Sequence, residues 1–146
     1  MALTIEIVTP EKKAFSGPAD SVTVPTVAGE IQLLPGHIPL TTLVSAGELV
    51  VTNGASVERL AVDKGFARIL GDTVSIITEA AIDEKKIDLS AVHIAQERAE
   101  KALAEARAVA GGEIDPAELE KLEQIIRFAV VQRLVKNRGV PGSMTE

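Results

Sequence analysis

The sequence predicts a segregated α+β chain: an N-terminal antiparallel β-sandwich, or flattened barrel, over residues 1–86, then an antiparallel two-helix hairpin over 87–138. Three observations predict it. Turn signals recur roughly every eight to twelve positions through the first part, with β-branched runs between them, the spacing of short strands in a sandwich. From Ile87 the apolar period lengthens to three and four residues, which marks helical faces. Two helix-start signals then lie on either side of Gly111-Gly112, and helices joined by about five residues fold back on each other.

The strands begin with Leu3–Val8 and Ser21–Val24, both rich in β-branched residues. Gly29–Leu40, GEIQLLPGHIPL, follows. Pro35 presets φ and Gly36 accepts a positive one, so Pro35-Gly36 reads as a turn, and Pro39, which cannot donate to a ladder, suits a strand entry. The result is a rigid, partly exposed loop carrying Glu30 and His37 beside the apolar run Ile31–Leu34. Asn53-Gly54 reads as a type I′ hairpin joining Glu48–Thr52 to Ser56–Val62. Asp63-Lys64-Gly65 makes a tight corner, and Gly71-Asp72 joins Gly65–Leu70 to Thr73–Thr78.

In the first helix Val92, Ala95, Ala99, Ala102, Leu103 and Ala106 share one face, and Gln96, Glu97, Glu100, Lys101 and Glu105 take the other. Asp88 or Ser90 caps its start and Gly111-Gly112 ends it. The second helix opens on Asp115-Pro116-Ala117-Glu118, an N-cap followed by proline at the first helical position. Its apolar row is Leu119, Leu122, Ile126, Ala129 and Val130, and the Asn137–Gly142 stretch stops it. Residues 139–146 read as a loose tail. The first helix offers mostly alanine to the contact. Each buried methylene contributes about 0.8 kcal/mol, so such a hairpin grips weakly and is expected to separate and re-dock.

Composition excludes several functions. With no tryptophan or tyrosine and three phenylalanines, the core is built from aliphatic residues, and no aromatic platform exists for nucleic-acid bases. A net charge of −6 argues in the same direction, so no nucleic-acid partner is expected. Zero cysteines exclude disulfides, thiolate metal sites and a cysteine nucleophile. No apolar run approaches the roughly 20 residues that span a bilayer, so any membrane association comes through a partner.

Catalytic constellations are missing too. The two histidines, His37 and His93, stand far apart without companion ligands, which disfavours a metal site. His37 reads as an interface or hydrogen-bonding residue and His93 as a surface one. Ser16, Ser21 and Ser45 lack a recognisable base and orienting acid, and no glycine-rich phosphate loop is present. The chain does not read as an enzyme. In the second helix Glu118, Glu120 and Glu123 come early, and Arg127, Arg133, Lys136 and Arg138 late. That order complements the helix dipole, and it also offers a basic arm to an acidic surface.

The Gly29–Leu40 string, together with Leu3–Pro10 (LTIEIVTP), Phe15-Ser16-Gly17, Asp20–Pro25 and Gly65-Phe66 in the same order, resembles the epsilon subunit of F-type ATP synthases over nearly the whole chain. The resemblance implies a β-sandwich followed by a helical hairpin, and a non-catalytic central-stalk subunit that turns with the rotor and couples proton flow to ATP synthesis. It implies contact with the gamma subunit and the c-subunit ring, with Glu30, Ile31, Leu34 and His37 as candidate contacts. It further implies a hairpin that extends toward the alpha and beta subunits and inhibits ATP hydrolysis, with Arg127, Arg133, Lys136 and Arg138 meeting the catalytic head. A peripheral place on the cytoplasmic face of a bacterial inner membrane follows from the same resemblance. Some members bind ATP through a motif I/L-D-x-x-R-A at the first helix start. This chain has Ile87-Asp88-Leu89-Ser90-Ala91-Val92, so Ala91 stands where the arginine would be, with Arg98 further on. Alanine cannot replace a bidentate phosphate partner, and weak or absent ATP binding is expected, leaving no firm cofactor. The alternatives are an ATP-responsive sensor and a free-standing sandwich adaptor that dimerises through its helices.

Overall fold

A computed structural model describes residues 2–109 and 113–138. Ten strands come first: β1 (Leu3–Val8), β2 (Lys13–Ala19), β3 (Ser21–Thr26), β4 (Gly29–Leu33), β5 (Leu40–Val44), β6 (Gly47–Asn53), β7 (Ser56–Val62), β8 (Gly65–Leu70), β9 (Thr73–Thr78) and β10 (Ala81–Asp83). A 3-10 turn at Glu84–Lys86 leads into α1 (Leu89–Ala108) and α2 (Pro116–Arg138). The expected tail, 139–146, and the Gly111-Gly112 helix stop lie outside the described residues.

The strands form one sheet in the order β10-β7-β6-β3-β5-β8-β9-β1-β2, with β4 pairing β3 off that path. The sheet folds on itself as a nearly closed sandwich, and strands such as β1 and β9 bury alternate residues: Leu3, Ile5 and Ile7 of β1, Val74 and Ile76 of β9. Its core is aliphatic throughout and includes Val22, Val24, Leu33, Leu49, Leu60 and Ile69, none more than 1% exposed. The pairs are antiparallel except β1 with β9, which run parallel from Thr4↔Thr73 to Val8↔Ile77.

The turns refine the sequence reading. Asn53 is the last residue of β6, paired with Ser56, so the two-residue loop is Gly54-Ala55. Gly54 has φ 62°, and no non-glycine residue has a positive φ among the described residues, which is the pattern of a type II′ turn rather than the expected type I′. Gly71-Asp72 follows the same scheme, with φ 63° at Gly71. Pro35-Gly36 forms the expected turn: Gly36 has φ 82°, and the His37 amide donates to the Leu34 carbonyl at 3.1 Å. At Gly65 the constraint is space. A Cβ there would fall 2.0 Å from the Ile77 carbonyl oxygen, so a side chain would push β8 off β9.

Asp88 is the cap of α1, its carboxylate accepting from the Ser90 and Ala91 amides at 3.0 and 3.3 Å. Asp115 caps α2 through the Ala117 amide at 3.2 Å. The helices pack on each other, and α2 also packs on β6, β7 and the 3-10 turn. The first helix buries Val92 and Ala99 as its alanine-rich face predicts, but Ala95 is exposed and Gln96 half-buried. In α2 the expected row is half-buried at Leu119, Leu122 and Ile126 and buried at Ala129, whereas Val130 is 44% exposed. Val131 and Val135 are buried in its place. The helix serves two neighbours, and a single stripe describes only one of its two buried faces.

Candidate functional site

Two surfaces stand out: the seam where α2 docks on the sandwich, and an apolar row on the outside of the sandwich. The seam has a small core of its own. Ala61, Ile87, Val92, Ala129, Val131 and Val135 cluster there, with Ala46, Ile82 and Phe128 half-buried against them. Arg127, Val131 and Val135 follow one another at four-residue steps, so they lie along one line of the helix.

The Asp63–Arg127 pair sits at the head of that line. The guanidinium donates from Nε to Asp63 Oδ1 at 2.9 Å and from Nη2 to Oδ2 at 3.1 Å, a forked arrangement that fixes direction as well as distance. The Asp63 side chain is fully buried and that of Arg127 is one-third exposed. The hydrogen bond to Asp63 raises the Arg127 pKa above its ordinary value, against the opposing effect of burial. Next door, Lys64 reaches Glu120 of α2 at 2.7 Å and Glu79 at 4.0 Å. The hydrogen bond with Lys64 lowers the Glu120 pKa, and the same bond, aided by Glu79, raises that of Lys64. Further along α2, the Lys136 ammonium donates to the Glu84 carbonyl at 3.2 Å.

Three of the four late basic residues of α2 can be placed. Arg127 and Lys136 are bonded to the sandwich side of the seam, and Arg133 is half-buried. Arg138 ends the helix. Of the residues at the start of α1, Ile87 is buried in the seam core, Asp88 is committed to its cap, and Arg98 is exposed. Asp88 therefore offers its cap bonds to the backbone, with Ala91 exposed beside it. No grouping of three or more metal-ligating side chains occurs among the described residues.

The Gly29–Leu40 candidates separate. Glu30 is exposed at the start of β4 and lines a small groove with Val131 and Leu134 of α2. His37 lies beyond the other end of β4, half-buried, with Nδ1 2.7 Å from the Ile38 carbonyl oxygen. Ile31 packs against the sandwich core, while Leu34 and Ile38 are 47% and 74% exposed. Glu30 and His37 thus lie toward opposite ends of β4.

The outer row was invisible to the sequence. Leu43 pairs with Phe66, and Phe66 with Ile77, across β5, β8 and β9. All three side chains are about half exposed, and Val27 is 75% exposed. With Pro10 they line an apolar groove of about 450 Å³. Strand alternation alone marks each as outward-facing, but nothing in the chain order says that the three strands are neighbours.

The profile of the ATP synthase delta/epsilon-chain β-sandwich domain matches residues 2–84, more than half the chain. The chain belongs to the ATP synthase epsilon-chain family. An epsilon chain of Acidithiobacillus ferridurans is 39% identical over 140 residues, covering 92% of this chain and 95% of its own length. That of Halalkalibacterium halodurans is 40% identical over 105 residues, covering 72% and 79%. Among solved structures, a chain of the Euglena gracilis mitochondrial ATP synthase complex of OSCP, F1 and c-ring superposes with a TM-score of 0.67 at 20% identity, covering 91% of this chain and 80% of that one. At that identity the likeness concerns the fold, helical hairpin included. As a member of the family the chain is a non-catalytic subunit of ATP synthase, a membrane-associated complex. No helix among the described residues is long and apolar enough to cross a membrane.

Proposed function

We propose that this chain is the rotor subunit that anchors through residues 1–86 and brakes ATP hydrolysis through residues 87–138. The observation that carries the anchoring half is the row Leu43, Phe66 and Ile77, half-exposed on three adjacent strands beside a groove. Contiguous apolar exposure of this kind on a charged protein marks a protein contact, and the gamma subunit is its partner. The exposed turn with Leu34, His37 and Ile38 faces the c-subunit ring, and Glu30 supplies a second, separate contact at the far end of β4. An exposed pair at Glu30 contributes about 0–1 kcal/mol, so it orients more than it binds.

The braking half rests on the seam. Charged and hydrogen-bonded contacts fix where α2 docks, and the residues that make them, Arg127 and Lys136, are candidates for meeting the alpha and beta subunits once α2 is released, with Arg133 and Arg138. The complex then holds this chain at the cytoplasmic face of a bacterial inner membrane. ATP binding at the α1 start is weak or absent, since Asp88 is spent on its cap and Ala91 brings no charge.

ATP hydrolysis by an alpha, beta and gamma complex free of epsilon tests both halves. The full chain should bind and slow hydrolysis. Phe66→Glu should abolish binding, and Arg133→Glu should bind normally yet inhibit less. Normal binding by Phe66→Glu would remove the outer row as the anchor, and undiminished inhibition by Arg133→Glu would remove the basic arm as the brake.

A further inference from the structure

We infer that Asp63 is a charge gate for the hairpin: it lets α2 dock only when Arg127 is free to cover it. The inference rests on the reading of the hairpin as a detachable element. Asp63 stands at the two-residue corner between β7 and β8, its amide donating to the Ala80 carbonyl at 2.9 Å. Both carboxylate oxygens are taken by Arg127 of α2, so they face the helix. Among the described residues no cation of the sandwich reaches them: Lys64, the adjacent residue, turns to Glu120 and Glu79 instead. The groups facing Asp63 are therefore Arg127, which pairs with it, and the flanking set of Lys64, Glu79 and Glu120.

The energetics of this arrangement are asymmetric. When α2 departs, the Asp63 oxygens face water and Arg127 is solvated, so neither charge is penalised. In the docked state the carboxylate is fully buried, whereas the guanidinium keeps one-third of its side chain in solvent. An unpaired carboxylate there is a buried charge without compensation, which is strongly unfavourable. An unpaired Arg127 is a partly solvated cation, which costs little. Neutralising both leaves the apolar fit of Ala129, Val131 and Val135 in place. The gate thus reads one thing, the availability of Arg127. An acidic surface that engages Arg127 on the released hairpin competes with Asp63 directly, and each shifts the other by the same factor.

The chain has no cysteine, so cysteines placed at exposed Ser56 and Glu123 take two spin labels uniquely, and the distance distribution of the full chain reports docked and released hairpins. Arg127→Gln should lower the docked-to-released ratio about a hundredfold. Asp63→Asn should lower it only about two- to fivefold. The double substitution should return it to within about fivefold of the unsubstituted protein, the signature of a coupled pair. Equal effects of the two single substitutions would overturn the gate, as would a double variant as released as Arg127→Gln alone. If Arg127→Gln fails to fold, the double variant decides: folded and docked supports the gate, released overturns it. Loss of braking in the hydrolysis assay with these distances as expected would instead count against the brake and leave the gate standing.

Discussion

The sandwich and the seam are two cores of opposite character. Leu3, Ile5, Leu49, Leu60, Ile69 and Ile76 pack the sandwich without a polar atom among them, tied by ladders on both sides. The seam contains valine and alanine from α2, together with a forked, buried ion pair flanked by a second, exposed one. Burying a valine stabilises by about 1.5–3 kcal/mol, so Val131 and Val135 hold the hairpin with less than the sandwich draws from a single strand. The difference teaches that one chain can build a permanent core and a reversible one by changing side-chain chemistry and not topology.

Leu49→Ala tests the permanent core and has the largest expected effect, a loss of about 2–5 kcal/mol of stability. Denaturant unfolding should show a lower midpoint with the same slope. A stability unchanged within experimental error would mean that the sandwich repacks freely and that the contrast is overstated. Phe66→Ala tests the outside of the same sandwich. It should leave stability within about 0.5 kcal/mol, since the ring is exposed, yet cost about 2 kcal/mol in affinity for the gamma subunit. Titration calorimetry with gamma distinguishes the two, and a loss of stability without loss of affinity would make Phe66 a core residue after all.

What the sequence made legible follows the same division. The sandwich was readable because strands such as β1, β8 and β9 report a buried face by alternation and the β6–β7 and β8–β9 hairpins report their turns by glycine; even the error at Asn53-Gly54 moved the loop by one residue only. The caps Asp88 and Asp115 were readable for the same local reason. Asp63 was read as a corner residue because its partner lies 64 positions away, and no local pattern encodes that pairing. Val131 and Val135 were missed because α2 faces α1 and the sandwich at once, and a single helical row describes only one of those faces. The Leu43–Phe66–Ile77 row needed strand order, which periodicity does not carry.

Val131→Ala sharpens the contrast at the reversible core. Two methyl groups are removed, a loss of about 1.6 kcal/mol at 0.8 per carbon, and it should fall on docking rather than on folding. The released fraction measured between labels at Ser56 and Glu123 should rise, while the unfolding midpoint of the sandwich stays in place. If the midpoint drops as it does for Leu49→Ala, the seam is part of one cooperative core and the hairpin is not separable.

The smallest expected effect concerns pH and the Lys64–Glu120 pair. Glu120 has its pKa lowered by the hydrogen bond and charge of Lys64, with Arg127 acting in the same direction and Asp63 against it. Its contribution to docking is therefore present above the ordinary carboxylate value of 4.5 and is lost as pH falls through the depressed docked value. Lys64 has its pKa raised by Glu120 and Glu79, so its contribution holds below 10.5 and is lost as pH rises through the raised value. Between those limits docking should be flat with respect to this pair, and because both side chains are exposed, added salt should blunt either limb. Glu120→Gln should remove most of the acid limb while leaving the Asp63–Arg127 bonds in place. An acid limb that survives Glu120→Gln unchanged would place the proton-sensitive contact elsewhere in the seam.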